Sequence, residues 1–213
     1  HYERGIEAYR LLLKLEPTHP RAYRHALRIA QGHSTIESWE ALEQDYRQAI
    51  ATYAPPSPVN PAGAATKEKQ PSPQGAAPQA SAWHAAQSAA TRQRAVAAIE
   101  KQLRQDAIGL HAKAQADESR SEFEGAKRLY AVYLDRFGED AAAYEMHFNA
   151  GEIDFYHLED ARGAAKNYLA AVRLKPQGAL SRDALFNALT ALEVARADEF
   201  DAAQAAGRPP EET

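Results

Sequence analysis

The sequence contains no cysteine, which excludes disulfides, thiolate metal sites and a cysteine nucleophile within its 213 residues. The absence leaves the compartment open. No apolar run approaches the ~20 residues needed to span a bilayer, so direct membrane insertion of this segment is not expected. Alternating β-branched stretches are also missing, and strands are not expected. There is no HExxH pair, no Gly-rich phosphate loop, no GxSxG elbow and no strand-borne carboxylate pair. An enzyme would have to be built from scattered residues with no signature. The reading is therefore non-catalytic, with no cofactor. The chain opens at His1 with neither an initiator methionine nor a signal sequence, which reads as a fragment or processed product and leaves targeting open. A net charge of −4 and a pI near 6.1 argue against general attraction to nucleic acid or anionic lipid.

What the sequence has in quantity is alanine, at 47 positions. Alanine is the best helix former, so composition favours helix before any periodicity is considered. The six Phe, ten Tyr and two Trp must then do much of the packing between helices. Seven of the twelve prolines fall within residues 55–80, together with Gly63, Gly75 and the charged patch Lys67-Glu68-Lys69. Proline fixes φ and removes donors, and little in this stretch can be buried, so it reads as a flexible Pro/Ala/Gln-rich linker. Three segments result: 1–54, 55–80 and 81–213. Helices are expected over 2–16, 20–32, 37–53, 81–118, 122–137, 140–158, 161–175 and 179–206, separated by Pro17, Pro20, Gly32 to Ser34, Gly138 and Pro176 to Gly178.

A spacing recurs along these helices. Ala164, Tyr168, Ala171, Leu174 and Pro176 share their offsets with Ala126, Tyr130, Tyr133, Arg136 and Gly138. The same offsets recur at Gly5, Tyr9, Leu12, Leu15 and Pro17, and at Leu42, Tyr46, Ala49, Thr52 and Ala54. A small or aliphatic residue lets two helices approach, and the aromatic one turn later fills the groove between them. This resembles the second helix of the tetratricopeptide repeat. The copies at 5 and 42 are 37 residues apart and those at 126 and 164 are 38 apart, longer than the usual period of ~34. In the first-helix half, Phe148, Glu152 and Phe155 stand where the family has Trp, Gly and Tyr, with Glu159 in place of a turn glycine. Tyr23, Leu27 and Ala30 fill those places approximately, and Trp39 and Phe123 open the second helices of their copies. The resemblance implies an all-α, TPR-like solenoid of helical hairpins with one long helix and a disordered Pro-rich linker. In style, segments such as Leu134–Asp140 are similar to repeat proteins of the bacterial cell envelope, including those of myxobacterial gliding machinery. The periplasm or envelope is the favoured location, with the cytoplasm open. Helices lacking a partner at both ends read as a piece of a longer solenoid, or as ends that pack on something else.

Three features are candidates for function. Residues 81–118 step Val96, Ile99, Leu103, Ala107, Leu110 and Ala114 along one face. This stretch, with Trp83 near its start, either packs back on residues 20–53 or projects as an arm or coiled-coil surface. Arg21, Arg24 and Arg28 share one helical face, where the resemblance implies a concave groove, and guanidinium groups suit carboxylates of an acidic partner segment. The equivalent groove positions elsewhere are Met146, Asn149, Ile153 and Tyr156, then Leu180, Asp183 and Asn187. Asp154 and His157, i and i+3, do not make a metal site, and none is expected. The function so implied is a protein-interaction scaffold whose partners are proteins, peptides or neighbouring repeats of the same chain. The other open reading is a helical regulatory domain joined to a catalytic domain elsewhere.

Overall fold

The computed structural model describes residues 1–55 and 81–205. The expected linker falls, apart from Pro55, outside the described residues. Among the described residues there are nine helices and no strand: α1 Tyr2–Leu15, α2 Ala22–Thr35, α3 Trp39–Tyr53, α4 Ala82–Ala86, α5 Ala89–Asp117, α6 Arg120–Phe137, α7 Ala143–Tyr156, α8 Ala161–Leu174 and α9 Ser181–Ala205. None is long and apolar enough to cross a membrane. The chain divides into two compact units, 1–102 and 103–213, with the division inside α5 and not at the Pro-rich stretch.

Two expected boundaries move for visible reasons. The helix expected over 81–118 is two helices, α4 and α5, broken at Gln87 and Ser88. The Ser88 hydroxyl accepts from the Thr91 backbone N–H, satisfying one of the free donors that open α5. Helix α2 continues past Gly32 to Thr35, and at Gly32 the missing side chain makes room for α1. A methyl group there would lie 2.7 Å from Ile6 Cγ1, and Ile6 is the one buried residue of α1.

Repetition shows in the turns. Among the described residues, Glu37, Glu118 and Glu159 are the non-glycine residues with positive φ, at 57°, 50° and 59°. Each follows one helix and precedes the next, at α2–α3, α5–α6 and α7–α8. The left-handed conformation lets the chain reverse at a helix C-terminus. After Glu37 the Ser38 N–H returns to the His33 carbonyl, and after Glu118 the Ser119 N–H returns to Ala114, so freed carbonyls at the helix ends are bonded. Glu159 is followed by Asp160, whose side chain caps α8 by accepting from Gly163 N–H at 2.9 Å. Connections this short make each pair an antiparallel hairpin.

In the first unit α1 packs on α2 and α2 on α3, with His33 Nδ1 and Asp45 Oδ2 2.5 Å apart between the last two. Trp83 is buried edge-on against Tyr23 and Tyr53, and its indole N–H donates to the His19 carbonyl at 2.8 Å. Gln87 donates to Thr18 and Gln102 to Leu27. Residues 81–102 are thus packed on the helices of 20–53, and the projecting arm is not what this segment forms.

In the second unit α6 packs on α7, α7 on α8 and α8 on α9. The core joins Tyr144 and Phe148 of α7, Ala164, Ala165, Tyr168 and Ala171 of α8, and Ala184, Ala188 and Ala191 of α9. Small residues on α8 and α9 let the helices close on the rings. Helices α7 and α8 come close at Gly151, where a Cβ would sit 2.9 Å from the Tyr168 ring. The glycine-like close approach therefore falls at 151, and Glu152, which the resemblance placed there, points elsewhere. Gly151→Ala should destabilise this unit by about 1–3 kcal/mol, the range for overpacking a filled core. Urea unfolding compared with the parent checks this, and an unchanged midpoint would mean that the ring can retreat.

Candidate functional site

Helix α7 is covered on nearly every side, and that isolates the part that is not. Tyr144, Phe148 and Gly151 face α8 and α9, while Met146, Ala150 and Ile153 are also buried. Glu145, Asn149, Glu152 and Tyr156, spaced four, three and four, form the one open stripe. Asp183 and Asn187 of α9 add an exposed carboxylate and a half-buried amide. This corrects the phase of the expected groove. Asn149, Tyr156 and Asn187 are accessible, and Tyr156 is 60% exposed. Met146 and Ile153 are 1% and 0% exposed and belong to the core, so no partner reaches them. Leu180 is partly buried against the same core.

Two tyrosine hydroxyls lie behind this stripe. Tyr130 is fully buried on α6; its hydroxyl receives the Asn149 amide at 3.4 Å and lies 3.2 Å from His111 Nδ1 of α5. Burial pushes its pKa up to about 12, opposed by the Asn149 bond and assisted by the Glu152 charge. The Tyr168 hydroxyl is buried with no well-formed hydrogen bond. Burial raises its pKa first and Glu152 second, while the Asn187 side chain beside it pulls the other way. Glu152 therefore acts on both hydroxyls. It is half-buried, burial raises its own carboxyl pKa, and it has no hydrogen bond or ion pair among the described residues. A carboxylate taken partly out of water without a partner costs free energy, and a cation placed against it recovers that cost.

The opposite side of α7 carries a charge network of its own. Asp154, 1% exposed, meets the Lys127 ammonium of α6 at 2.6 Å in an ion pair and accepts from Asn167 of α8 at 2.9 Å. Lys127 also reaches Asp160 at 2.9 Å, and Asn167 Oδ1 lies 3.1 Å from His147 Nδ1. Burial raises the Asp154 carboxyl against the pull of Lys127 and Asn167, whereas the Lys127 bond holds the Asp160 carboxyl down. This network ties α6, α7 and α8 together and is structural. His157 stacks face to face on Phe123 with centroids 3.6 Å apart, so the Asp154 and His157 side chains serve separate contacts. Among the described residues no group of three or more His, Asp or Glu side chains is arranged to hold a metal ion.

In the first unit Arg21, Arg24 and Arg28 are all exposed on the N-terminal cap and outer face of α2. Arg24 Nε donates to the Tyr23 hydroxyl at 3.2 Å, and Arg28 donates to Gln31 at 2.6 Å. Arg28 also lines an open groove of about 360 Å³ between α1 and α2, with Tyr2, Gly5, Tyr9 and Gly32. Two of the three guanidinium groups thus spend a donor locally.

The sequence signal for the second-unit stripe was present but read out of phase. The apolar set Met146, Ala150 and Ile153 has helical spacing, and so does the polar set Glu145, Asn149, Glu152 and Tyr156. On a helix buried on several sides, either set satisfies the period. No protein-family model matches the chain, and no curated protein is significantly similar to it.

Proposed function

We propose that this chain is a non-catalytic protein-interaction scaffold of the tetratricopeptide kind that holds an extended, basic segment of a partner protein along α7 and α9. Glu152 carries the reading, because it is a half-buried carboxylate with no hydrogen bond or ion pair among the described residues. Around it, Asn149 and Asn187 offer amides to a peptide backbone, Tyr156 an exposed ring, and Glu145 and Asp183 further negative charge. The Lys and Arg side chains of an extended segment would find carboxylates along the stripe. Arg21, Arg24 and Arg28 give the first unit a surface of the opposite sign, suited to an acidic segment. A bacterial envelope assembly is the setting that the resemblance favours for such a scaffold.

The test is a binding titration with a short Lys–Gly repeat peptide at low salt. The double substitution Glu145→Gln and Glu152→Gln should weaken binding by about tenfold, or ~1.4 kcal/mol. Moderate salt should weaken the parent more than the variant, because the lost interaction is electrostatic. Both positions are away from the core, so helix content should not change. Equal affinity of parent and variant would sink the assignment of this stripe.

A further inference from the structure

We infer that the segment taken by the stripe on α7 is a polyproline II stretch with two basic residues three positions apart, Lys-x-x-Lys, and prolines between and around them. This rests on the stripe reading proposed above and adds the conformation and spacing of the partner.

The two carboxylates of the stripe set the spacing. Glu145 and Glu152 are seven positions apart on one continuous helix. At 1.5 Å per residue and 3.6 residues per turn, they stand about 10.5 Å apart along the axis and within about 20° around it. Extended chains present side chains to one face at fixed intervals. A β-strand does so every second residue, at about 6.7 Å or about 13 Å, and either interval misses by roughly 3 Å or more. Polyproline II does so every third residue, at about 9.3 Å, and misses by only about 1 Å. A flexible lysine stem covers that difference.

The surroundings favour the same conformation. A β-extended segment draws its affinity from pairing with a strand edge, and the described residues include no strand. A helical segment would also match the spacing, but it needs an apolar groove, and Met146 and Ile153 are buried in the core. Polyproline II has no internal hydrogen bonds, so its backbone groups are free to meet the side-chain amides of Asn149 and Asn187. Its proline rings dock on aromatic side chains. Tyr156 supplies one, exposed four positions beyond Glu152 and held edge-on against Phe155 at 5.0 Å. The third position of the segment on this face falls about 18.6 Å from the first, close to the axial distance of about 16.5 Å from Glu145 to Tyr156. A proline at that position meets the ring.

The test uses peptides of equal charge, each with two lysines in a proline background, spaced two, three or four positions apart. They are titrated against the whole 213-residue chain at low salt. Spacing three should bind about threefold tighter than the others, the share of one exposed ion pair. Glu145→Gln leaves a single carboxylate and should bring all three to the same affinity. Replacing the prolines of the best peptide with glycine should weaken it by about fivefold, because a flexible chain must then be ordered on binding. Equal affinities of the three peptides for the parent overturn the spacing, as does a preference that survives Glu145→Gln. Binding of the glycine peptide at least as tight as that of its proline parent overturns the conformation. So does tighter binding of an alanine-based helical peptide with lysines seven apart. In each of these cases the stripe itself stands if Glu145→Gln with Glu152→Gln still weakens the peptides that bind. If that double substitution weakens none, the stripe reading falls and this inference falls with it.

Discussion

Replacing Tyr168 with alanine should destabilise the second unit by about 3–5 kcal/mol, the range for deleting a large aromatic side chain from a core. The ring is fully buried, seated over Gly151, edge-on to Phe148 at 5.6 Å, and surrounded by alanines of α8 and α9. Alanine neighbours cannot swing inward to fill the space, so little of the cavity should collapse. The hydroxyl behaves differently. It has no well-formed hydrogen bond, so Tyr168→Phe removes a buried polar atom at little cost and should be near neutral. Both tryptophans, Trp39 and Trp83, lie in the first unit, so hydrogen exchange of α7 and α8 amides is the suitable readout. A parent-like protection pattern in the alanine variant would show that the α7–α8 contact is misplaced.

The second large effect is on pH. His111 is buried on α5 against Tyr130 and Phe123, and burial, with a smaller contribution from His157, pushes its pKa down to about 4 from 6.5. Between those values the unfolded chain binds a proton that the folded chain does not. Stability must therefore fall as pH drops through that window. His111 alone should remove about 2 kcal/mol between pH 7 and pH 5. His147 and His157 are lowered as well, chiefly by burial, and act in the same direction. In His111→Gln the loss between these pH values should shrink by His111's share, whatever the variant's stability at pH 7. A slope identical to the parent's would mean that the imidazole already reaches water in the folded state.

Much of the helical architecture was legible because single residues carried it. Pro17, Gly138 and Pro176 follow helix ends, and Tyr46, Tyr130 and Tyr168 mark the buried side of α3, α6 and α8. What was not legible depended on what each helix lies against. Gly32 reads as a breaker until Ile6 is seen against it, and residues 81–118 read as one helix until Ser88 is seen to cap a second start. The turn glutamates Glu37, Glu118 and Glu159, each followed by Ser or Asp, recur in the sequence as plainly as the tyrosines do. Their left-handed geometry gives no local signal, because that conformation is ordinarily filled by glycine. Met146 and Ile153 were misplaced in the expected groove for a related reason. A helix buried on one face shows its phase in its pattern, but α7 is buried on three, so Met146 and Ile153 were as eligible as Asn149 and Glu152. The consequence for function is a change of charge: Glu145 and Glu152 join the expected Asn149, Tyr156, Asp183 and Asn187 on the surface, and Met146 and Ile153 leave it.

That charge is open to a residue-level measurement. Backbone amide shifts of the isotopically labelled chain, followed by NMR during titration with the Lys–Gly repeat peptide, report which residues the peptide touches. The account predicts a contiguous footprint on Glu145, Asn149, Glu152, Tyr156, Asp183 and Asn187 that fades with salt and is lost in the Glu145→Gln, Glu152→Gln variant. Shifts that spread over unrelated acidic residues, or that persist undiminished in that variant, would contradict it.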